Sequence, residues 1–178
     1  MNRNIVLRSA RVALALCLTL TALAVPAGAG NAARDGGTVT NNWMIPFQGS
    51  YLVDNGASSE FVDLSGSVHL VVKYVPPNPV VPPNPVRIHT NLVSVSGVGE
   101  TSGHSYRLTG AANFELDADA GSTFEFVGSY RLSPTDPCRG CPAGARYLPI
   151  RYAVTLNSAG EVTEASAAAG GSTSVDSE

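Results

Sequence analysis

The stretch Ser67-Val68-His69-Leu70-Val71-Val72-Lys73-Tyr74-Val75 decides the fold class. Val68, Leu70, Val72 and Tyr74 fall on one face of an extended chain, and His69, Val71, Lys73 and Val75 on the other. A period of two marks a strand with one buried face. The period returns downstream, where Val86, Ile88, Thr90 and Leu92 alternate with Arg87, His89 and Asn91. Phe124, Phe126 and Gly128 likewise alternate with Glu125, Val127 and Ser129. Further strands are expected over 43–53 with an interruption at Pro46, over 106–116 with a bulge at Gly110, and over 148–156 and 161–165. Turn-forming residues separate them at 54–58, 97–103, 117–121 and 157–160. No segment after residue 29 has a helical period of useful length. About seven or eight short strands with tight connections pair antiparallel with their sequence neighbours. The expected fold is therefore all-β, a single antiparallel β-sandwich or a small barrel, and the alternation fits both.

Between two of these strands the chain repeats itself without change. Val75-Pro76-Pro77-Asn78-Pro79-Val80 is followed by Val81-Pro82-Pro83-Asn84-Pro85-Val86. Six prolines in this span exclude a helix or a central strand and favour an extended, polyproline-like loop. Such a peptide suits an aromatic groove on a partner. The simpler reading is a tolerated insertion in a hairpin loop, because lengthening a surface loop costs little entropy.

Outward from this β-region, the N-terminus reads as a secretory signal peptide over 1–29. Arg3, Arg8 and Arg11 form a basic start without an acid, and an uncharged apolar run follows from Val12 to Val25. Pro26 then precedes the small residues Ala27-Gly28-Ala29, and cleavage is expected after Ala29. The apolar run has about 14 residues, short of the roughly 20 that span a bilayer. Cys17 follows Leu16 rather than a small residue and lies inside that run, so it reads as part of the removed segment and not as a lipidation site. Residues 30–42 are polar and glycine-containing and read as a flexible leader to a domain over 43–165; 166–178 read as a disordered tail. The expected location is outside the cytoplasm, extracellular or periplasmic.

Removal of the signal changes the charge. The whole chain has 11 Lys and Arg against 14 Asp and Glu, and three of the arginines leave, so 8 basic residues face 14 acidic ones. Lys73 is the only lysine. Without a basic run there is no electrostatic footprint for nucleic acid or an anionic membrane, and no insertion into a membrane is expected after cleavage. Two cysteines remain, Cys138 and Cys141, in Asp136-Pro137-Cys138-Arg139-Gly140-Cys141-Pro142. In an exported all-β chain this Cys-x-x-Cys reads as a loop-pinning disulfide. Redox chemistry would call for a helix start, and structural zinc for a second ligand pair.

Candidate binding residues come from the strand register. Aligning the apolar faces of 67–75 and 86–96 puts His69 and His89 together on the outward face, with Lys73 and Asn91 near them. His69, His89 and Asn91 are thus a candidate surface patch. Lys73 and the lack of a carboxylate on these strands argue against a metal, and solvent-facing histidines are the plainer reading. His104 adjoins a glycine-rich turn. Glu115, Asp117 and Asp119 alternate and read as a solvated strand end rather than a calcium site. No nucleophile elbow, Walker loop, dinucleotide fingerprint or zinc-protease helix is present, and neither a catalytic residue, a cofactor nor a metal is expected.

The segment from Asn91 to Tyr106 carries Val-x-Gly-x-Gly at Val95-Ser96-Gly97-Val98-Gly99 and Thr-x-Gly-x-x-Tyr at Thr101-Ser102-Gly103-His104-Ser105-Tyr106. It resembles a segment that recurs in uncharacterised secreted bacterial proteins. The resemblance covers about one tenth of the chain and implies an exported β-domain with no assigned activity. The sequence thus leads to a monomeric, exported, non-enzymatic β-domain that binds a protein or small-molecule partner or serves a structural role at the cell surface. The alternative is a small barrel with an interior pocket for a small apolar ligand, with enzymatic activity open to it, for which Gly66, Gly97, Gly110, Ala112 and Gly128 would leave room inside.

Overall fold

Alternating strands joined in chain order build most of one sheet. The computed structural model describes residues 30–35, 37–54, 59–76, 86–135 and 146–170. Nine strands are present among them: β1 (Gly30–Asp35), β2 (Thr38–Asp54), β3 (Ser59–Tyr74), β4 (Val86–Gly99), β5 (Ser105–Thr109), β6 (Ala111–Leu116), β7 (Thr123–Pro134), β8 (Arg146–Leu156) and β9 (Val162–Ala169). They pair antiparallel in the order β1-β2-β3-β4-β5-β7-β8-β9, with β6 paired to β4. The sheet curls until β9 lies against β2 without a hydrogen-bonded ladder, so it is an all-β barrel that is nearly closed. The interior is the apolar face foreseen from the alternation. Val68, Leu70 and Val72 of β3 are fully buried with Phe47, Ile88, Ile150 and Tyr152. Burying each such side chain is worth about 1.5–3 kcal/mol against exposure.

A barrel needs strands that bend, and the bend here spans neighbouring strands at one level. Ser65 pairs with Ser96 but Ser67 pairs with Val93, which leaves Ser94 and Val95 opposite Gly66. Ser94 takes a φ of 54°, the left-handed geometry of a β-bulge. Beside it the expected strand 106–116 divides at Gly110. The N–H of Leu92 still donates to the Gly110 carbonyl at 3.1 Å. Below this break β6 stays with β4, while β5 pairs with both β4 and β7.

Several boundaries differ from the sequence expectation. Residues 30–42 are not a free leader, because β1 and the start of β2 occupy them. Val39, Asn41 and Trp43 keep the inward phase of β2, and Gly30 lies against the Trp43 indole. Pro46 does not interrupt β2. Beyond residue 43 the edge of β2 away from β3 has no ladder, and a residue lacking an N–H is tolerated on such an edge. β4 runs through Gly97 to Gly99, so the turn begins later than expected. At the other end, residues 166–169 are strand, because Ala165 and Ala167 continue the inward alternation of β9. The signal segment 1–29, most of the proline duplication, Cys138 with Cys141, and residues 171–178 lie outside the described residues.

Candidate functional site

The outer face of β2, β3, β4 and β6 is a grid whose rows follow from the pairing. Thr40, Lys73, Arg87 and Glu115 form one row. Asn42, Val71, His89 and Asn113 form the next, and Met44, His69, Asn91 and Ala111 the third. The three expected patch residues therefore share the outward face. Asn91 stands directly opposite His69, whereas His89 stands opposite Val71, one diagonal step from His69. The imidazole of His89 is bound sideways, with Nδ1 at 2.8 Å from Asn113 Oδ1.

Within this grid the surface sinks into a depression of about 320 Å³ lined by Val71, Lys73, Arg87, Ile88, His89, Asn113, Phe114 and Glu115. Of the expected patch only His89 reaches it; His69 and Asn91 lie on the row beyond. Arg87, Asn113 and Glu115 were missed as members of this site. The signal was the pairing of β6 with β4, which a hairpin-by-hairpin reading does not supply, since it assigns 106–116 to one neighbour along its whole length. Glu115, read as a solvated acid, meets the Arg87 guanidinium at Nε over 3.1 Å. Both side chains are mostly exposed, so the pair adds little stability. Among the described residues no three His, Cys, Asp or Glu side chains converge as a metal site.

A second polar cluster explains the glycine-rich segment from Val95 to Tyr106. Glu60 is buried beneath it and accepts hydrogen bonds from the Ser102 N–H (2.9 Å), the Ser102 hydroxyl (2.8 Å) and the Tyr106 hydroxyl (2.9 Å). Gly99 passes so close to this carboxylate that a Cβ there would overlap it, with 2.5 Å to Cδ. Ser102 and Tyr106 are thus donors to one buried acid, and the cluster positions a turn. A buried carboxylate needs such donors, because desolvation without them costs several kcal/mol.

Inside the barrel, Tyr130 takes up space beside two of the small residues, Gly128 and Gly110. The Tyr130 ring folds over Gly128, where an added Cβ would fall 2.8 Å from ring atom Cε2, and reaches the Gly110 position at 3.3 Å. Tyr152 donates to the Tyr130 hydroxyl (2.7 Å), which stands 2.6 Å from Thr90 Oγ1, and Thr90 donates on to the Ala112 carbonyl (3.4 Å). Burial raises the Tyr130 and Tyr152 phenols above the ordinary tyrosine value, which keeps them neutral donors. Comparison of the chain with family models, with curated proteins and with solved structures finds no match.

Proposed function

We propose that this chain is an exported, non-enzymatic β-domain that binds its partner through the outer face of the sheet, at the depression between β3, β4 and β6. The observation that supports this reading is where the concavity lies. It is on the outside, where Lys73, Arg87, His89, Asn113 and Glu115 join the apolar Val71, Ile88 and Phe114 in its lining, while the interior side chains around Tyr130 and Tyr152 are packed and bonded to one another. A rigid sheet carrying a small number of placed polar groups is how binding sites gain specificity. Export belongs to the same reading: cleavage after Ala29 would leave β1 whole, since that strand begins at Gly30. A disulfide between Cys138 and Cys141 would then pin the loop between β7 and β8 in an oxidising compartment.

The test uses protein recovered from outside the producing cell, its intact mass recorded before and after reduction. A chain beginning at Gly30 that gains two protons on reduction is expected. Amide exchange of that protein is then compared with and without envelope extract from the same cells. Protection gained at 71–73, 87–89 and 113–115 supports binding at this face. Protection confined to other strands, or none, rejects it.

A further inference from the structure

We infer that the depression is an anion site, in which Lys73 and Arg87 hold the carboxylate, phosphate or sulfate group of a ligand; the inference rests on reading the depression as the binding surface. Positive charge is concentrated at this one place. Lysine is used once in the chain, and acids outnumber bases, yet Lys73 and Arg87 stand directly opposite each other on β3 and β4. Like charges directly across a strand pair are destabilising, so the pair opposes the fold it sits on. That charge is only partly compensated. Glu115 reaches Arg87, but among the described residues no carboxylate lies within 4.0 Å of Lys73. A third side chain capable of positive charge, His89, lines the same wall and is held there by Asn113.

The surface is also concave at this place. Two cations on a flat strand pair would be dispersed by water, but here they border a depression with polar walls at Asn113 and His89. Val71, Ile88 and Phe114 line the depression beside the cations, and Ile88, which alternates inward, is 2 % exposed. Bidentate recognition of an oxyanion suits a guanidinium, and a lysine beside it adds a point charge. Glu115 then acts as an internal competitor, occupying Arg87 until the ligand's anionic group replaces it. Because the site is open to solvent, binding weakens as salt is raised.

This arrangement predicts opposite signs for two neighbouring substitutions. Lys73→Met removes an attraction and should weaken anion binding about tenfold, whereas Glu115→Gln removes the competitor and should tighten it about threefold. Both positions are exposed, so neither variant should unfold the domain: Lys73→Met relieves the repulsion by Arg87 and should hold or slightly raise the unfolding midpoint, and Glu115→Gln should hardly move it. The measurement is an NMR titration of the folded domain with sodium phosphate and with dextran sulfate, against sodium chloride at matched ionic strength and against maltose. Saturable shifts at 71–73, 87–89 and 113–115 with phosphate mean that a free anion suffices. The same shifts with dextran sulfate alone mean that the group is carried on a polymer; both outcomes support the site. Shifts no larger than those with sodium chloride, or substitutions that change affinity in the same direction, overturn it. Shifts at these residues with maltose but not with the anions reject the ligand class while keeping the depression as a binding surface. The envelope-exchange experiment separately decides whether the surface is used.

Discussion

Tyr130 and Tyr152 carry hydroxyl groups into an apolar interior, and each hydroxyl can donate once only if the chain runs from Tyr152 through Tyr130 and Thr90 to the Ala112 carbonyl. That order removes the cost of burying three hydroxyls, and it makes the core sensitive to alkali. Burial raises the phenols of Tyr51, Tyr130 and Tyr152 in the folded state, while the unfolded chain ionises tyrosine near pH 10. Below that value both states hold the proton and stability is unaffected. Above it the unfolded state gains by releasing protons that the folded state keeps, so stability falls as pH rises, by up to about 4 kcal/mol per pH unit for three such groups. In a spectrophotometric titration, the phenolates of Tyr51, Tyr130 and Tyr152 should appear only together with loss of near-ultraviolet circular dichroism. Gradual ionisation of all tyrosines in a folded barrel would contradict this. The residues that do this work were partly legible. Asn41 is in phase with Val39 and Trp43, Glu60 with Val62 and Leu64, and Thr90 with Ile88, and these three are the buried polar side chains among the described residues. A polar residue in phase with a core face is the sequence mark of an interior network. Its partners were not legible, because Ser102 and Tyr106 lie more than 40 positions from Glu60 along the chain.

At the level of elements, the alternation specified every core strand but not where a strand changes neighbours. The segment 106–116 reads as one strand because its side chains alternate throughout, apart from Gly110. In the barrel, it serves β7 before Gly110 and ends without a ladder to β7 after it. The gap between β6 and β7 is closed by rings instead, with Phe114 4.7 Å from Phe126 and Phe126 4.8 Å from Tyr152 between centroids. Tyr130 completes this layer only because Gly128, two residues earlier on the same inward face, leaves room for its ring. Gly128→Ala should therefore act as overpacking, with a cost of about 1–3 kcal/mol in urea denaturation. The loss should shrink sharply when Tyr130 is first shortened to Leu, since the clash is with that ring. An equal loss in both backgrounds would mean that Gly128 matters for its backbone and not for the space it provides. The spacing of inward glycines and aromatics was visible in the sequence, but it is read equally well as a cavity, and only the ring's rotamer separates filling from emptiness.

For the molecule as a whole, closure of the barrel is the step that no strand pairing supplies. β9 meets β2 without a ladder, and side chains bridge the seam. Asn41, fully buried, accepts from the Val162 N–H at 3.0 Å and donates to the Gly160 carbonyl at 3.1 Å. Toward the other end, the Tyr51 hydroxyl donates to the Pro149 carbonyl at 2.7 Å. Arg34 and Glu161 also cross the seam, but at 3.3 Å between exposed side chains, where an ion pair contributes little. Asn41→Ala would leave the Val162 N–H and the Gly160 carbonyl without their partner in a dry interior, at a cost of about 2–3 kcal/mol. Tyr51→Phe, which loses a single bond from a partly buried hydroxyl, should cost about 1 kcal/mol. If the seam opens as a unit, the double variant should lose less than the sum, because one opening already exposes both contacts. Amide exchange gives the location of the loss. In Asn41→Ala, protection should fall in β9 and over 44–53 of β2, while β5 and the 131–134 end of β7 keep theirs, because their ladder lies away from the seam. Uniform acceleration through all strands would mean that the barrel only opens globally and that Asn41 is an ordinary core residue rather than the clasp that closes the sheet.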